Sequence, residues 1–255
     1  TSKRKIKRMN YSTLEPFIIC GAPGGGTSYF TKFLRGNGFF AGTSLEVGRD
    51  KHDHIGYIHR RKWHESPFMS TTLSKPLLTQ MGVSHDAAIQ GHYELVYNKL
   101  QEYTDDWWQE LVDNNFSKFS GRLEEEFLPA ETPYGWKDPR NVYLLPFWKK
   151  IFPKAKILTV TREMNPSPSQ EGYGRDNDEG IHFAKNVGNP WLDKLYYGHE
   201  DDFRFRFEDF YELDKVNELL TFIGFDTIDS FATLKAMHKE LKFQPFKIGI
   251  GYGTS

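Results

Sequence analysis

Cysteine is almost missing from this chain of 255 residues, since Cys20 is the only one. A single cysteine forms no internal disulfide and builds no cysteine-rich metal site. Cys20 ends a short apolar run, FIIC, and we expect it to be a small buried hydrophobic residue. No signal peptide precedes this run, and together these features favour a reducing, cytoplasmic location.

Long apolar stretches and an excess of one charge are missing as well. No stretch approaches the ~20 apolar residues of a membrane-spanning helix, and the mean hydropathy is -0.62, so no span is expected. With 33 basic and 34 acidic residues the net charge is -1. This balance argues against a nucleic-acid binder, which would carry a strong basic excess. Residues 1–12 are locally basic and are interpreted as a flexible tail.

The hydrophobic pattern alternates between strand-like and helix-like segments, which predicts βαβ units and a parallel sheet. We therefore expect one α/β domain over residues 1–255, with a central parallel sheet flanked by helices in a three-layer, P-loop-like fold. The polar, histidine-rich segment at 42–75 and the glycine- and proline-rich segment at 163–180 are expected to be substrate-side loops. The predicted strands are 17–20, 155–161 and 203–207, and the predicted helices are 28–36, 86–117, 122–128, 141–152 and 208–223.

A glycine-rich segment, GAPGGGTS, follows the first predicted strand and opens the first predicted helix. Glycines let backbone N–H groups turn inward around an anion, and the helix N-terminus adds partial positive charge. In the Walker A pattern G-x-x-x-x-G-K-[ST], Gly21, Gly26 and Ser28 match, but Thr27 stands where the lysine belongs. The segment predicts phosphate binding and argues against an ordinary ATP- or GTP-hydrolysing enzyme. A plain strand-to-helix turn is the less favoured alternative.

The same loop resembles the 5′-phosphosulfate loop, P-x-x-G-T-[ST], of sulfotransferases that use 3′-phosphoadenosine 5′-phosphosulfate (PAPS). The family usually has Lys or Arg at the second position, whereas this chain has Gly24 there. The resemblance implies that the loop holds the 5′-phosphosulfate of PAPS through Pro23, Gly24, Gly25, Gly26, Thr27 and Ser28.

A second segment, at 134–162, resembles the family stretch that runs K-[DS]-P, a helix, F-P-x-A-K and a strand ending in Arg. The resemblance implies that Arg162 binds the 3′-phosphate, together with a serine, for which Ser169 is the candidate. Independently, a guanidinium at the carboxyl end of a parallel strand faces the crevice where open α/β sheets bind ligands. It can grip a phosphate through two parallel hydrogen bonds. A surface or ion-paired arginine is the less favoured alternative.

Lys137, in the sequence WKDPR, is the candidate catalytic cation. In carbohydrate-type relatives a lysine of the corresponding motif approaches the sulfuryl group. Sulfuryl transfer moves negative charge onto the leaving phosphate oxygen, which a cation stabilises. A local ion pair of Lys137 with Asp138 and Arg140 at a helix start is an equally good interpretation.

The acceptor also needs a base to take its proton. The resemblance implies a His, Glu or Asp from the segment after the first helix, and we choose His54, with Asp50 and Glu46 as alternates. The D-x-H-D-H spelling suggests a metal as well, but residues so close together rarely converge on one ion, so we predict no metal. For any single residue of this segment, a polar surface loop is the simplest interpretation.

A third segment, at 203–225, resembles the family's late strand and helix. The resemblance as a whole implies transfer of a sulfuryl group from PAPS to a hydroxyl or amine of a small-molecule or carbohydrate acceptor. The transfer would be an in-line displacement that releases 3′,5′-adenosine bisphosphate. Two alternatives stay open: a P-loop kinase-like phosphotransferase, and a non-catalytic nucleotide-binding protein with the sulfotransferase fold.

Overall fold

The computed structural model describes residues 13–42, 69, 74–80, 82–83, 93–102, 132–163, 184–196 and 200–241. The described residues include a π-helical turn, Ala184–Gly188, and a 3₁₀ turn, Phe207–Tyr211. The strands are β1 (Phe17–Cys20), β2 (Gly135–Lys137), β3 (Lys156–Thr161) and β4 (Asp202–Arg206). The helices are α1 (Thr27–Gly36), α2 (Lys75–Gln80), α3 (Tyr93–Gln101), α4 (Asn141–Ile151), α5 (Asn189–Tyr196), α6 (Leu213–Ile223) and α7 (Phe231–Glu240).

The four strands form one parallel sheet in the order β2-β1-β3-β4. Ile19 of β1 lies opposite Lys137 on one side and Leu158 on the other, and Thr161 of β3 lies opposite Arg206. Because all pairs are parallel, the carboxyl ends of the strands meet at one edge of the sheet. The predicted α/β fold with a central parallel sheet is confirmed.

Alternate residues of β1 and β3 belong to two separate cores, one on each face of the sheet. Ile18 and Cys20 pack with apolar residues of α2, α3, α4 and α5. Phe17 and Ile19 pack with those of α1, α6 and α7. The result is the predicted three layers. Cys20 is fully buried, as expected, and burial raises the pKa of its thiol.

The strands predicted at 17–20 and 155–161 and the helices predicted at 28–36 and 141–152 agree with the structure to within one residue, but the β4–α6 junction differs. The helix predicted at 208–223 begins only at Leu213, because residues Phe207–Tyr211 form a 3₁₀ turn instead. The Asp209 carboxylate accepts hydrogen bonds from the Arg206 backbone N–H, at 3.0 Å, and from Arg206 Nε, at 2.9 Å. These bonds compete with a continuous helix.

Several predictions about segments fall on parts of the chain that the structure does not describe. The helix predicted at 86–117 is confirmed over Tyr93–Gln101, but it ends there, because Glu102 forms a turn by donating to the Lys99 carbonyl oxygen. Residues 86–92 and 103–117, like the helix predicted at 122–128, lie outside the described residues. The tail at 1–12 and most of the loops at 42–75 and 163–180 also lie outside them. Among the described residues, no helix is long and apolar enough to cross a bilayer.

Candidate functional site

The candidate site lies at the carboxyl edge of the sheet, between β1 and β3. From β1 the chain continues to β2 on one side, and from β3 it continues to β4 on the other. Such a reversal of direction leaves a crevice beside the carboxyl ends of the two central strands, where open α/β sheets bind ligands. The glycine-rich loop follows β1, and Arg162 follows β3.

The loop has the backbone expected of an anion cradle. Gly24, with φ +81°, and Gly26, with φ +90°, adopt left-handed conformations that side chains with a Cβ rarely take. Gly26 is the N-cap of α1, and no side chain caps the helix there. The first N–H groups of α1, which start at buried Thr27, therefore have no capping side chain. Pro23 and Ser28 are half-buried, and Gly25 is buried.

Arg162 is half-buried, and its guanidinium carbon lies 4.5 Å from the centroid of the Phe207 ring. Its Nε is buried and has no hydrogen-bond partner among the described residues. Burial lowers the pKa of Arg162, while the Glu208 carboxylate acts in the opposite direction. Because an arginine stays charged in proteins, this buried N–H donor suits an anionic ligand.

The backbone around Arg162 is held on both sides. Asn189 Nδ2 donates a hydrogen bond to the Arg162 carbonyl oxygen at 2.8 Å. The next backbone N–H, that of Glu163, donates to Glu208 Oε1 at 3.1 Å. Asn189 opens α5 and Glu208 lies in the 3₁₀ turn, so two distant segments fix the end of β3.

Lys137 ends β2 at the same edge of the sheet and is only 5% exposed. Asp138 and Arg140, which follow Lys137 closely in the chain, form an ion pair. Asp138 Oδ1 accepts hydrogen bonds from Arg140 Nε, at 2.6 Å, and from the Arg140 backbone N–H, at 2.9 Å. This pair lies just before α4, where a helix start was expected.

The remaining candidates lie outside the described residues. They are the proposed bases Glu46, Asp50 and His54, and Ser169, the second candidate for the 3′-phosphate. Among the described residues, which leave out most of the histidine-rich segment 42–75, no group of three or more His, Cys, Asp or Glu side chains is arranged to hold a metal ion.

A buried hydrogen-bonded pair behind the loop was not foreseen from the sequence. His238 of α7 is 1% exposed, and its Nε2 donates to the Phe210 carbonyl oxygen at 3.0 Å. Its Nδ1 therefore accepts a hydrogen bond from the Tyr29 hydroxyl. Tyr29 lies in the first turn of α1, next to Ser28, so α7 is tied to the helix that follows the loop.

Comparison with known proteins adds little. No protein-family model matches the chain, and no curated protein matches it. Among solved structures, the chain is similar to the sulfotransferase domain from the olefin synthase of Synechococcus PCC 7002. The identity is 16%, the TM-score is 0.42, and the match covers 88% of this chain and 80% of that one. A similarity this low carries no argument about function, which has to come from the residues of the site.

Proposed function

We propose that this protein transfers a sulfuryl group from PAPS to a hydroxyl or amine of a small-molecule or carbohydrate acceptor. The observation that carries the proposal is a pair of anion-binding features at one crevice. A glycine-rich loop without the Walker lysine follows β1, and Arg162, with a buried and unpartnered Nε, follows the adjacent strand β3.

Two separate anion sites suit a nucleotide that carries charge at both ends of its ribose. The loop at 23–28, with the N-terminus of α1, would hold the 5′-phosphosulfate through backbone N–H groups and the hydroxyls of Thr27 and Ser28. Arg162 would hold the 3′-phosphate, with Ser169 as the second ligand. A nucleoside triphosphate without a 3′-phosphate would leave Arg162 unused.

The transfer needs a base, a cation and an aligned acceptor. The acceptor oxygen or nitrogen forms a bond to sulfur as the bond between sulfur and the 5′-phosphate oxygen breaks. The acceptor proton goes to a base, His54 or alternatively Asp50 or Glu46. Lys137 would stabilise the negative charge that develops on the phosphate oxygen of the departing 3′,5′-adenosine bisphosphate.

One observation favours a second candidate function, a binding protein that does not catalyse transfer. Gly24 is exposed in the loop, at the position where the resembled family has its cation. A kinase-like reaction is disfavoured, because Thr27 replaces the lysine that grips the phosphates of a nucleoside triphosphate.

Calorimetric titration with 3′,5′-adenosine bisphosphate, and in parallel with ATP and Mg²⁺, tests the nucleotide site. We expect clear binding of the bisphosphate and weak binding of ATP. Radiolabelled PAPS with a panel of sugar, phenol and amine acceptors then tests the transfer itself. Binding of the bisphosphate without transfer to any acceptor would support the non-catalytic candidate. Binding of ATP–Mg²⁺ but not of the bisphosphate would refute the proposal.

A further inference from the structure

One aromatic ring contacts both halves of the candidate site. The centroid of the Phe207 ring lies 4.5 Å from the guanidinium carbon of Arg162. The edge of the same ring closely approaches the loop, since a Cβ added at Gly26 would lie 2.1 Å from Phe207 Cδ2. Phe207 is 8% exposed, so both contacts are shielded from solvent. The loop after β1 and the arginine after β3 therefore share a single buried side chain.

Other aromatic rings confine this side chain. The Tyr29 ring meets it edge-on with a centroid distance of 6.0 Å, and the Phe210 ring does so at 5.7 Å. Its backbone belongs to the 3₁₀ turn that Asp209 closes by accepting from the Arg206 N–H. Close packing on two sides and the hydrogen-bonded turn restrict the movement of the ring.

The guanidinium of Arg162 lies over the face of this ring. Asn189 and Glu208 form hydrogen bonds with the backbone on either side of Arg162, and the Glu208 carboxylate also attracts the guanidinium. The buried Nε has no hydrogen-bond partner among the described residues. A ring face attracts a cation without using its N–H groups, so the donors stay available to a ligand.

We propose that Phe207 is a positioning residue, which holds the Arg162 guanidinium beside the loop and thereby makes the site select nucleotides with a second, 3′-phosphate. This inference rests on the proposed function. Phe207 does not bind the phosphate itself. It fixes the distance between the two anion sites, because the same ring packs on Gly26 and on Arg162.

The test compares the dissociation constants of 3′,5′-adenosine bisphosphate and adenosine 5′-phosphate for the wild type and for variants. Phe207→Leu removes a partly desolvated cation–π contact, so we expect the preference for the bisphosphate to fall by about 5- to 30-fold. Phe207→Tyr keeps the ring and should keep the preference. Phe205→Leu is the matched control, because Phe205 is buried in the same aromatic cluster and packs on Phe30 and Phe210. It should lower stability but leave the preference unchanged.

The inference is wrong if Phe207→Leu leaves the preference unchanged, or if it weakens both nucleotides equally, since the ring would then support only the loop or the fold. If Phe207→Leu does not fold, Phe207→Met can replace it, because methionine keeps apolar volume without a ring. We expect the same fall in the preference for the bisphosphate. If the wild type itself binds 3′,5′-adenosine bisphosphate no more tightly than adenosine 5′-phosphate, the proposed function is wrong as well. This result differs from one in which the wild type has the preference and Phe207→Leu keeps it.

Discussion

Replacing Gly26 with alanine should damage the protein more than a single methyl group ordinarily does. Gly26 has φ +90°, a left-handed conformation that costs a residue with a Cβ about 1–2 kcal/mol. The new Cβ would lie 2.1 Å from Phe207 Cδ2 and 2.6 Å from Phe207 Cε2. The buried ring has to move, and overpacking of this kind costs about 1–3 kcal/mol. The two effects together predict a loss of about 2–5 kcal/mol in the free energy of unfolding.

Urea unfolding measures this loss, and Gly36→Ala provides the matched control. Gly36 closes the same helix, α1, and a Cβ there would meet only Leu241 Cδ2, at 3.7 Å. Alanine is the better helix former, so Gly36→Ala should leave stability unchanged or raise it by up to about 1 kcal/mol. Gly26→Ala should lower the urea midpoint by about 1 M and weaken binding of the bisphosphate. A Gly26→Ala protein as stable as the wild type would refute the packing described for Phe207.

Two further predictions concern Lys137 and His238. Lys137→Met should lower kcat for sulfuryl transfer at least about 100-fold, since it removes a charge that acts mainly in the transition state, while the bisphosphate dissociation constant changes little. Burial lowers the pKa of His238, so the unfolded chain binds a proton that the folded protein does not. The free energy of unfolding should therefore fall as the pH drops through the ordinary histidine range, and His238→Gln should flatten this dependence.

Steady-state kinetics and urea unfolding at several pH values check these two predictions. An equal loss of kcat and of bisphosphate affinity in Lys137→Met would show that this lysine binds the nucleotide in its ground state. A pH dependence of stability that is the same in His238→Gln and in the wild type would show that His238 does not control it. Glutamine suits this comparison because it can still donate to the Phe210 carbonyl oxygen and accept from Tyr29, as His238 does.

Local signals were enough to predict the segment around the loop. The apolar run of β1, the glycines after it and the amphipathic spacing of α1 all lie within 20 residues, and each belongs to a pattern with one strong interpretation. The strand β3 was predicted for the same reason. β2 has three residues, too few for a pattern, and was not among the predicted strands; its pairing with β1 defines it.

The surroundings of Arg162 could not be predicted in this way. Asn189, which donates to the Arg162 carbonyl oxygen, lies 27 residues further along the chain. Glu208, which accepts from the Glu163 backbone N–H, lies 45 residues beyond Glu163. Such contacts arise only when β3 and β4 pair, which no local pattern specifies. The sequence pattern placed Phe207 at the end of the predicted strand 203–207. It did not predict the hydrogen bonds between Arg206 and Asp209, which close the turn that contains Phe207.

Binding of 3′,5′-adenosine bisphosphate to Arg162→Ala, measured by calorimetry beside the wild type, tests the central claim most directly. The loss of two charge-assisted hydrogen bonds to the 3′-phosphate should reduce the binding free energy by about 3 kcal/mol, which raises the dissociation constant roughly 100-fold. Arg204→Ala removes an exposed arginine of β4 that pairs with Asp193 of α5, and this variant should bind like the wild type. If Arg162→Ala binds the bisphosphate as tightly as the wild type, Arg162 does not hold the 3′-phosphate and the proposed site is contradicted.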